Sequence, residues 1–396
     1  MTRSFANTDS TGSRGRRPKL EKSSSSRFGS AFRKVGSYLR DQADQQSHSA
    51  LYLSPQTRGS YASTKITKYN NSRELEDDLV AKLTAVNGTA DPISYWQHTA
   101  ASSPAYTPTP RSSTSMTRGE EQSPKMAQHQ YNTSNHLQTY DIHIPQRTTT
   151  NEAYWLVYIH GGYFRDPKVD STSLIPALKL LEQSDASSQI KGYASLNYRL
   201  APHSSHPQNE NTPQYDFNDA YWPDQPKDII AALHHLQQNN PDSKRYIVAG
   251  HSVGATLAFI AALQASGRGV APPSAILGIS GIYDFPAIHQ SNPDYEGLTK
   301  NAMRAKDYKD ASSACYGLDE YEQTWNADKK VVVLAHSKED ELVVWDQVEI
   351  MLDLLKPSKT IEAELVEIHG KHNEIWEKGI ELARAFQRTI ELLTKA

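Results

Sequence analysis

One cysteine in 396 residues, Cys315, excludes an intramolecular disulfide, and no motif surrounds it, so it reads as a bystander rather than a nucleophile. No apolar run approaches the roughly 18 residues that a membrane-spanning helix needs, and no signal-like hydrophobic segment is present. Metal-ligand spacing of Cys and His is absent, and so are a Walker loop and the glycine fingerprint of dinucleotide-binding folds. The expectation is a soluble, intracellular protein, cytoplasmic and without cofactor or metal, that acts on a small molecule without binding membrane or nucleic acid.

What is present is divided unevenly. Net charge is −3 and mean hydropathy −0.66, but these averages hide a break. Residues 1–136 are rich in Ser, Thr, Gln, Asn and Pro and show little periodicity, the composition of a disordered extension. Its first 40 residues hold ten Lys or Arg against Asp9 and Glu21. A mitochondrial transit peptide is the alternative to a disordered basic tail, although an amphipathic repeat is lacking. No nucleic-acid-binding fold signature accompanies the charge. Residues 73–88 can form one short amphipathic helix with Leu75, Leu79, Val80 and Leu83 on a face.

From 137 to 396 strand-like and helix-like apolar runs alternate, enough chain for one α/β domain. Strands are expected at 154–159, 192–197, 245–249, 274–280, 330–335 and 361–368. Helices are expected at 171–184, 224–239, 253–265, 343–355 and 373–394. Such alternation gives a mostly parallel sheet flanked by helices, with its chemistry at the carboxyl ends of the strands. Homodimerisation is left open.

Two of those ends carry motifs. After Tyr246-Ile247-Val248-Ala249 comes Gly250-His251-Ser252-Val253-Gly254, a G-x-S-x-G turn opening an apolar helix, the context in which a serine is held out as a nucleophile. Some ninety residues earlier, Tyr154–Ile159 runs into His160-Gly161-Gly162-Tyr163-Phe164. Gly161, Gly162 and Tyr163 there, with Val253 after the serine, are the oxyanion-hole candidates, the N–H groups of Gly162, Tyr163 and Val253 serving as donors. His160 is read as serving loop geometry, and His251 as turned away from the reacting serine. Each motif alone is weak, because small residues are common in any strand-to-helix turn.

The later strand ends supply an acid and a base. Val331–Ala335 is followed by His336-Ser337-Lys338-Glu339-Asp340-Glu341, and Asp340 is the candidate that orients a histidine, with Glu339 and Glu341 as rivals. Glu364–Ile368 delivers His369-Gly370-Lys371-His372, and His372 is the candidate base, with His369 as the alternative. Ser252, Asp340 and His372 follow one another in the order nucleophile, acid, base.

With these residues assembled, the domain resembles the kynurenine formamidase (arylformamidase) branch of the HGG-containing α/β-hydrolases, the fungal enzymes in particular. The resemblance rests on Tyr158–Gly162, Ser195–Pro202, Gly250–Ala255, Gly281-Ile282-Tyr283-Asp284, Asp340–Val343 and Gly370–Asn373. It implies an α/β-hydrolase fold and hydrolysis of an aryl formamide, N-formyl-L-kynurenine, without a cofactor. A short-chain or aryl carboxylesterase is the alternative, and a noncatalytic ligand-binding hydrolase fold a more distant one. One residue departs from the pattern: the family motif ends in tryptophan, whereas Phe164 keeps a packing ring without an indole N–H. Two insertions are expected to build the pocket, 203–223 with Tyr215, Phe217, Tyr221 and Trp222, and 285–328 with Tyr295, Tyr308, Tyr316, Tyr321 and Trp325.

Overall fold

The strand Tyr154–Ile159 is buried along its whole length and feeds two separate cores. Trp155, Val157 and Ile159 belong to one, Tyr154, Leu156 and Tyr158 to the other, as the two-residue period of a strand requires. A strand apolar on both faces has to lie inside a sheet with helices on each side. That is the architecture of the computed structural model, which describes residues 124–147, 149–304 and 308–395. The basic extension and the helix expected at 73–88 lie outside the described residues.

Eight strands form one sheet: β1 (Ala127–Gln130), β2 (Thr139–His143), β3 (Tyr154–Ile159), β4 (Ile190–Leu196), β5 (Tyr246–His251), β6 (Ala275–Ile279), β7 (Lys330–Ser337) and β8 (Ile361–Ile368). Their order is β1-β2-β4-β3-β5-β6-β7-β8. The pairs β1·β2 and β2·β4 are antiparallel and the remaining pairs parallel, so all motif-bearing strands point the same way. The sheet starts ahead of residue 137: β1 pairs Ala127 with Ile142 and Gln130 with Thr139. This edge strand, Ala-Gln-His-Gln, is largely exposed and carries no apolar period by which to recognise it.

The described residues include α1 (Ile175–Glu182), α2 (Asp224–Asn239), α3 (Val253–Ala265), α4 (Phe285–Ser291), α5 (Tyr295–Met303), α6 (Leu318–Thr324), α7 (Asp346–Leu355), α8 (Glu374–Lys378) and α9 (Ile380–Thr394). Residues of α1, α8 and α9 cover one face of the sheet, and residues of α2, α3 and α7 the other. The helix expected over 373–394 is two helices, broken at Gly379 with φ 73°. The insertion 285–328 contributes α4, α5 and α6, the first two over the carboxyl end of the sheet, where Tyr163 packs on Phe285 and Tyr295. No helix among the described residues is long and apolar enough to cross a membrane.

Candidate active site

Ser252 stands between the end of β5 and the start of α3 with φ 57° and ψ −125°. A non-glycine residue held there costs of order 1–3 kcal/mol and persists only where its surroundings over-determine it. Here the Ser252 N–H donates to Ile279 O at 2.9 Å, and its carbonyl accepts from Ala255 N–H at 3.0 Å. Close approach does the rest. A Cβ on Gly254 would lie 2.2 Å from Ile159 O, so α3 can begin against the end of β3 only because the residue is glycine. The same approach brings the serine to the HGG loop, where a Cβ on Gly161 would stand 3.1 Å from Ser252 Cβ.

That loop turns through three successive left-handed residues, Gly162 (φ 92°), Tyr163 (φ 49°) and Phe164 (φ 64°). Several hydrogen bonds fix it. The Tyr198 hydroxyl donates to Gly161 O at 2.9 Å and His160 O at 3.1 Å, and Ala201 N–H donates to Phe164 O at 2.9 Å. The Tyr198 ring stacks on His160, centroids 4.5 Å apart. Among the described residues no backbone carbonyl takes the N–H of Gly162, Tyr163 or Val253, which leaves the three expected donors available to an oxyanion. Tyr163 reaches outward to donate to Thr299 Oγ1 at 2.8 Å, tying the loop to α5.

At the end of β7, Asp340 Oδ2 accepts from His372 Nδ1 at 2.8 Å, while Oδ1 accepts from the N–H groups of Leu342 and Val343 at 3.0 and 2.8 Å. Burial alone would push this carboxyl up. The His372 and His336 rings together with the Val343 N–H outweigh it and hold Asp340 well below the ordinary carboxylate range. The strand runs on to Ser337, so His336 is a buried strand residue, its Nε2–H donating to Val343 O at 2.9 Å. The rivals sort by geometry: Glu339 lies 3.7 Å from His369 at the surface, and Glu341 accepts from the backbone N–H of His372 at 3.2 Å.

His251 packs inside the domain. Its buried ring sits against His372, centroids 4.4 Å apart, and its Nε2–H donates to His372 O at 3.1 Å. Burial keeps its affinity for a proton well below the usual histidine value. Among the described residues no hydrogen bond joins Ser252 Oγ to His372; His251, next to Ser252 in sequence, has its Nδ1 3.1 Å from where a Gly161 Cβ would stand. Neither His251 nor Tyr198 was legible as a site residue, because each acts on backbone atoms of a residue remote in sequence. The only signal for Tyr198 was the Asn-Tyr-Arg-Leu-Ala-Pro strand end.

The aromatics of the two insertions divide. Trp222 packs on Phe164 at 5.8 Å, Phe285 lies 6.3 Å and Tyr295 5.6 Å from Tyr163, and Tyr295 donates to Leu342 O beside the acid loop. These rings pack against the HGG loop and its neighbours. Tyr321 and Trp325 are core residues, fully buried, Tyr321 against Phe259 and Trp325 donating to Pro273 O, and Tyr215 is exposed. Among the described residues no group of three His, Cys, Asp or Glu is arranged to hold a metal ion.

A family model of the α/β hydrolase fold matches residues 218–335. A kynurenine formamidase-like hydrolase of Fusarium equiseti is 33% identical over 272 residues, which cover 65% of this chain and 90% of that protein. A kynurenine formamidase of Aspergillus versicolor is 29% identical over 252 residues, 57% of this chain and 84% of that one. Among solved structures, an inhibited esterase B of Lactobacillus rhamnosis matches with a TM-score of 0.50 at 17% identity, over 69% of this chain and 90% of the other, a likeness of fold alone. With 90% of a relative matched at 33% identity on a mostly parallel sheet of this topology, the chain belongs to the fungal kynurenine formamidase family of the α/β-hydrolases.

Proposed function

We propose that the protein hydrolyses N-formyl-L-kynurenine to L-kynurenine and formate, a step of tryptophan breakdown, with Ser252 as nucleophile, His372 as base and Asp340 as orienting acid. Ser252 Oγ attacks the formyl carbon and His372 takes its proton. The charge gathering on the formyl oxygen is met by the N–H groups of Gly162, Tyr163 and Val253, fixed in advance by the strained loop and elbow. His372 then hands the proton to the departing aryl nitrogen, the C–N bond breaks, and L-kynurenine leaves. Water, deprotonated by the same histidine, attacks the formyl-serine ester and releases formate. Asp340 holds the Nδ1–H tautomer throughout and stabilises the imidazolium. The flat aryl group would pack against the rings around the HGG loop, Phe164, Trp222, Phe285 and Tyr295.

The observation that carries this reading is the Asp340–His372 pair at 2.8 Å, together with the strained Ser252, in a chain matched along 90% of a formamidase-like relative. The test is formate release from N-formyl-L-kynurenine by the purified protein, with Ser252→Ala and a short aryl ester as comparisons. Release that falls by about 10⁴-fold or more in the variant is expected. Ester cleavage without formate release would leave the triad and remove the substrate.

A further inference from the structure

A general base has to be fixed in position as well as in tautomer, since a displacement of about 1 Å can cost a hundredfold in rate. His372 lies in the turn between the end of β8 at Ile368 and the start of α8 at Glu374, where neither ladder nor helix bonds hold its peptide. Gly370 in that turn is left-handed, with φ 107°. Both backbone groups of His372 are instead taken by side chains: its N–H donates to Glu341 Oε2 at 3.2 Å, and its C=O accepts from His251 Nε2–H at 3.1 Å. Glu341 directly follows Asp340, and His251 directly precedes Ser252. The three members of the proposed triad are thus linked a second time, through neighbours that clamp the peptide of the base.

We infer that His251 is a positioning residue for His372, setting the distance between the base and Ser252, with Glu341 as the weaker, outer half of the same clamp. The inference rests on the serine-hydrolase reading above. His251 is suited to the task by its surroundings. It is buried, its ring is wedged between Gly161 and His372, and a carbonyl acceptor on Nε2 fixes the proton on that nitrogen. Burial keeps it neutral, so it adds no cation beside the imidazolium that forms during the reaction. The other ionisable groups around the pair are Asp340, Glu341 and His336.

The experiment uses the full chain and an aryl-free fluorophosphonate, whose attack by Ser252 forms an Oγ–P bond, expels fluoride and sends the serine proton to His372. Labelling reports the Ser–His machinery whatever the natural substrate. His251→Phe keeps a ring and loses the donor; His251→Gln restores an N–H near the position of Nε2. The expected result is labelling slowed by about tenfold in His251→Phe and recovered to within about threefold in His251→Gln, the loss in formamide turnover falling on kcat with KM unchanged. At the exposed side, Glu341→Ala should slow labelling by about threefold and Glu341→Gln restore it. Wild-type rates in His251→Phe, or a glutamine variant as slow as the phenylalanine one at equal thermal stability, would overturn the clamp while leaving Ser252 as nucleophile. A folded wild-type protein that does not label at all would bring down the serine-hydrolase reading and the clamp with it.

Discussion

Asp340 shows how one side chain can join a loop and a reaction. Oδ1 closes the turn onto Leu342 and Val343, and Oδ2 holds His372, so replacing the group tests both tasks. In Asp340→Asn an amide NH₂ facing His372 would select the wrong tautomer, and kcat is expected to fall by about 10³- to 10⁴-fold. KM should change little, because the substitution leaves the substrate-facing side chains in place. Steady-state kinetics against Glu339→Gln and His369→Asn, a surface pair 3.7 Å apart, supply the contrast, since those two should stay near wild type. Were Asp340→Asn as active as they are, another group would be orienting the base. The order Ser252, Asp340, His372 was readable from the motifs, but the choice among three consecutive acids depends on where the turn after β7 points each carboxylate, which residue type does not encode. His251 escaped for a related reason: its partner is a carbonyl 121 residues away.

Elements were legible in proportion to their apolar period. The strand Tyr154–Ile159 and helices α2 and α3 lie where the pattern puts them, and β1 was missed because its four residues are polar and lie at the sheet edge. The break between α8 and α9 has a packing cause. A Cβ at Gly379 would lie 2.4 Å from Ala177 N, so the chain passes against α1 in a left-handed turn that the helical pattern over 373–394 does not reveal. The elbow obeys the same logic, and Gly254→Ala tests it. The added methyl would meet Ile159 O at 2.2 Å and His160 O at 2.6 Å, both backbone atoms that cannot swing aside. Helix α3 must therefore withdraw from β3, carrying the Val253 N–H away from Gly162 and Tyr163. Loss of one oxyanion donor costs about 10²- to 10³-fold in kcat. Kinetics beside a thermal melt would check it; full activity with an unchanged melting temperature would mean the approach of helix to strand is looser than the geometry here.

Among the described residues four histidines are at most 1% exposed, His160, His251, His336 and His372. Burial lowers the proton affinity of His160, His251 and His336, that of His160 down to about 4. In the unfolded chain each titrates near 6.5. Over the interval between, the unfolded state binds more protons than the native state, so stability rises with pH and is lost as pH falls below 6.5. Each histidine contributes at most ~1.4 kcal/mol per pH unit, and the three together at most ~4 kcal/mol per unit. Asp340, depressed by its partners, adds a second loss that begins only as pH drops through its unfolded value of 3.8. Against a total stability of about 5–15 kcal/mol for an ordinary domain, such a loss is a substantial share. Denaturant midpoints followed from about pH 7 to about pH 5 should fall, with a net uptake of protons on unfolding, measurable from the slope. A flat profile over that interval would mean that the three rings are already protonated in the native protein, and His251 could not then be the neutral donor that holds His372.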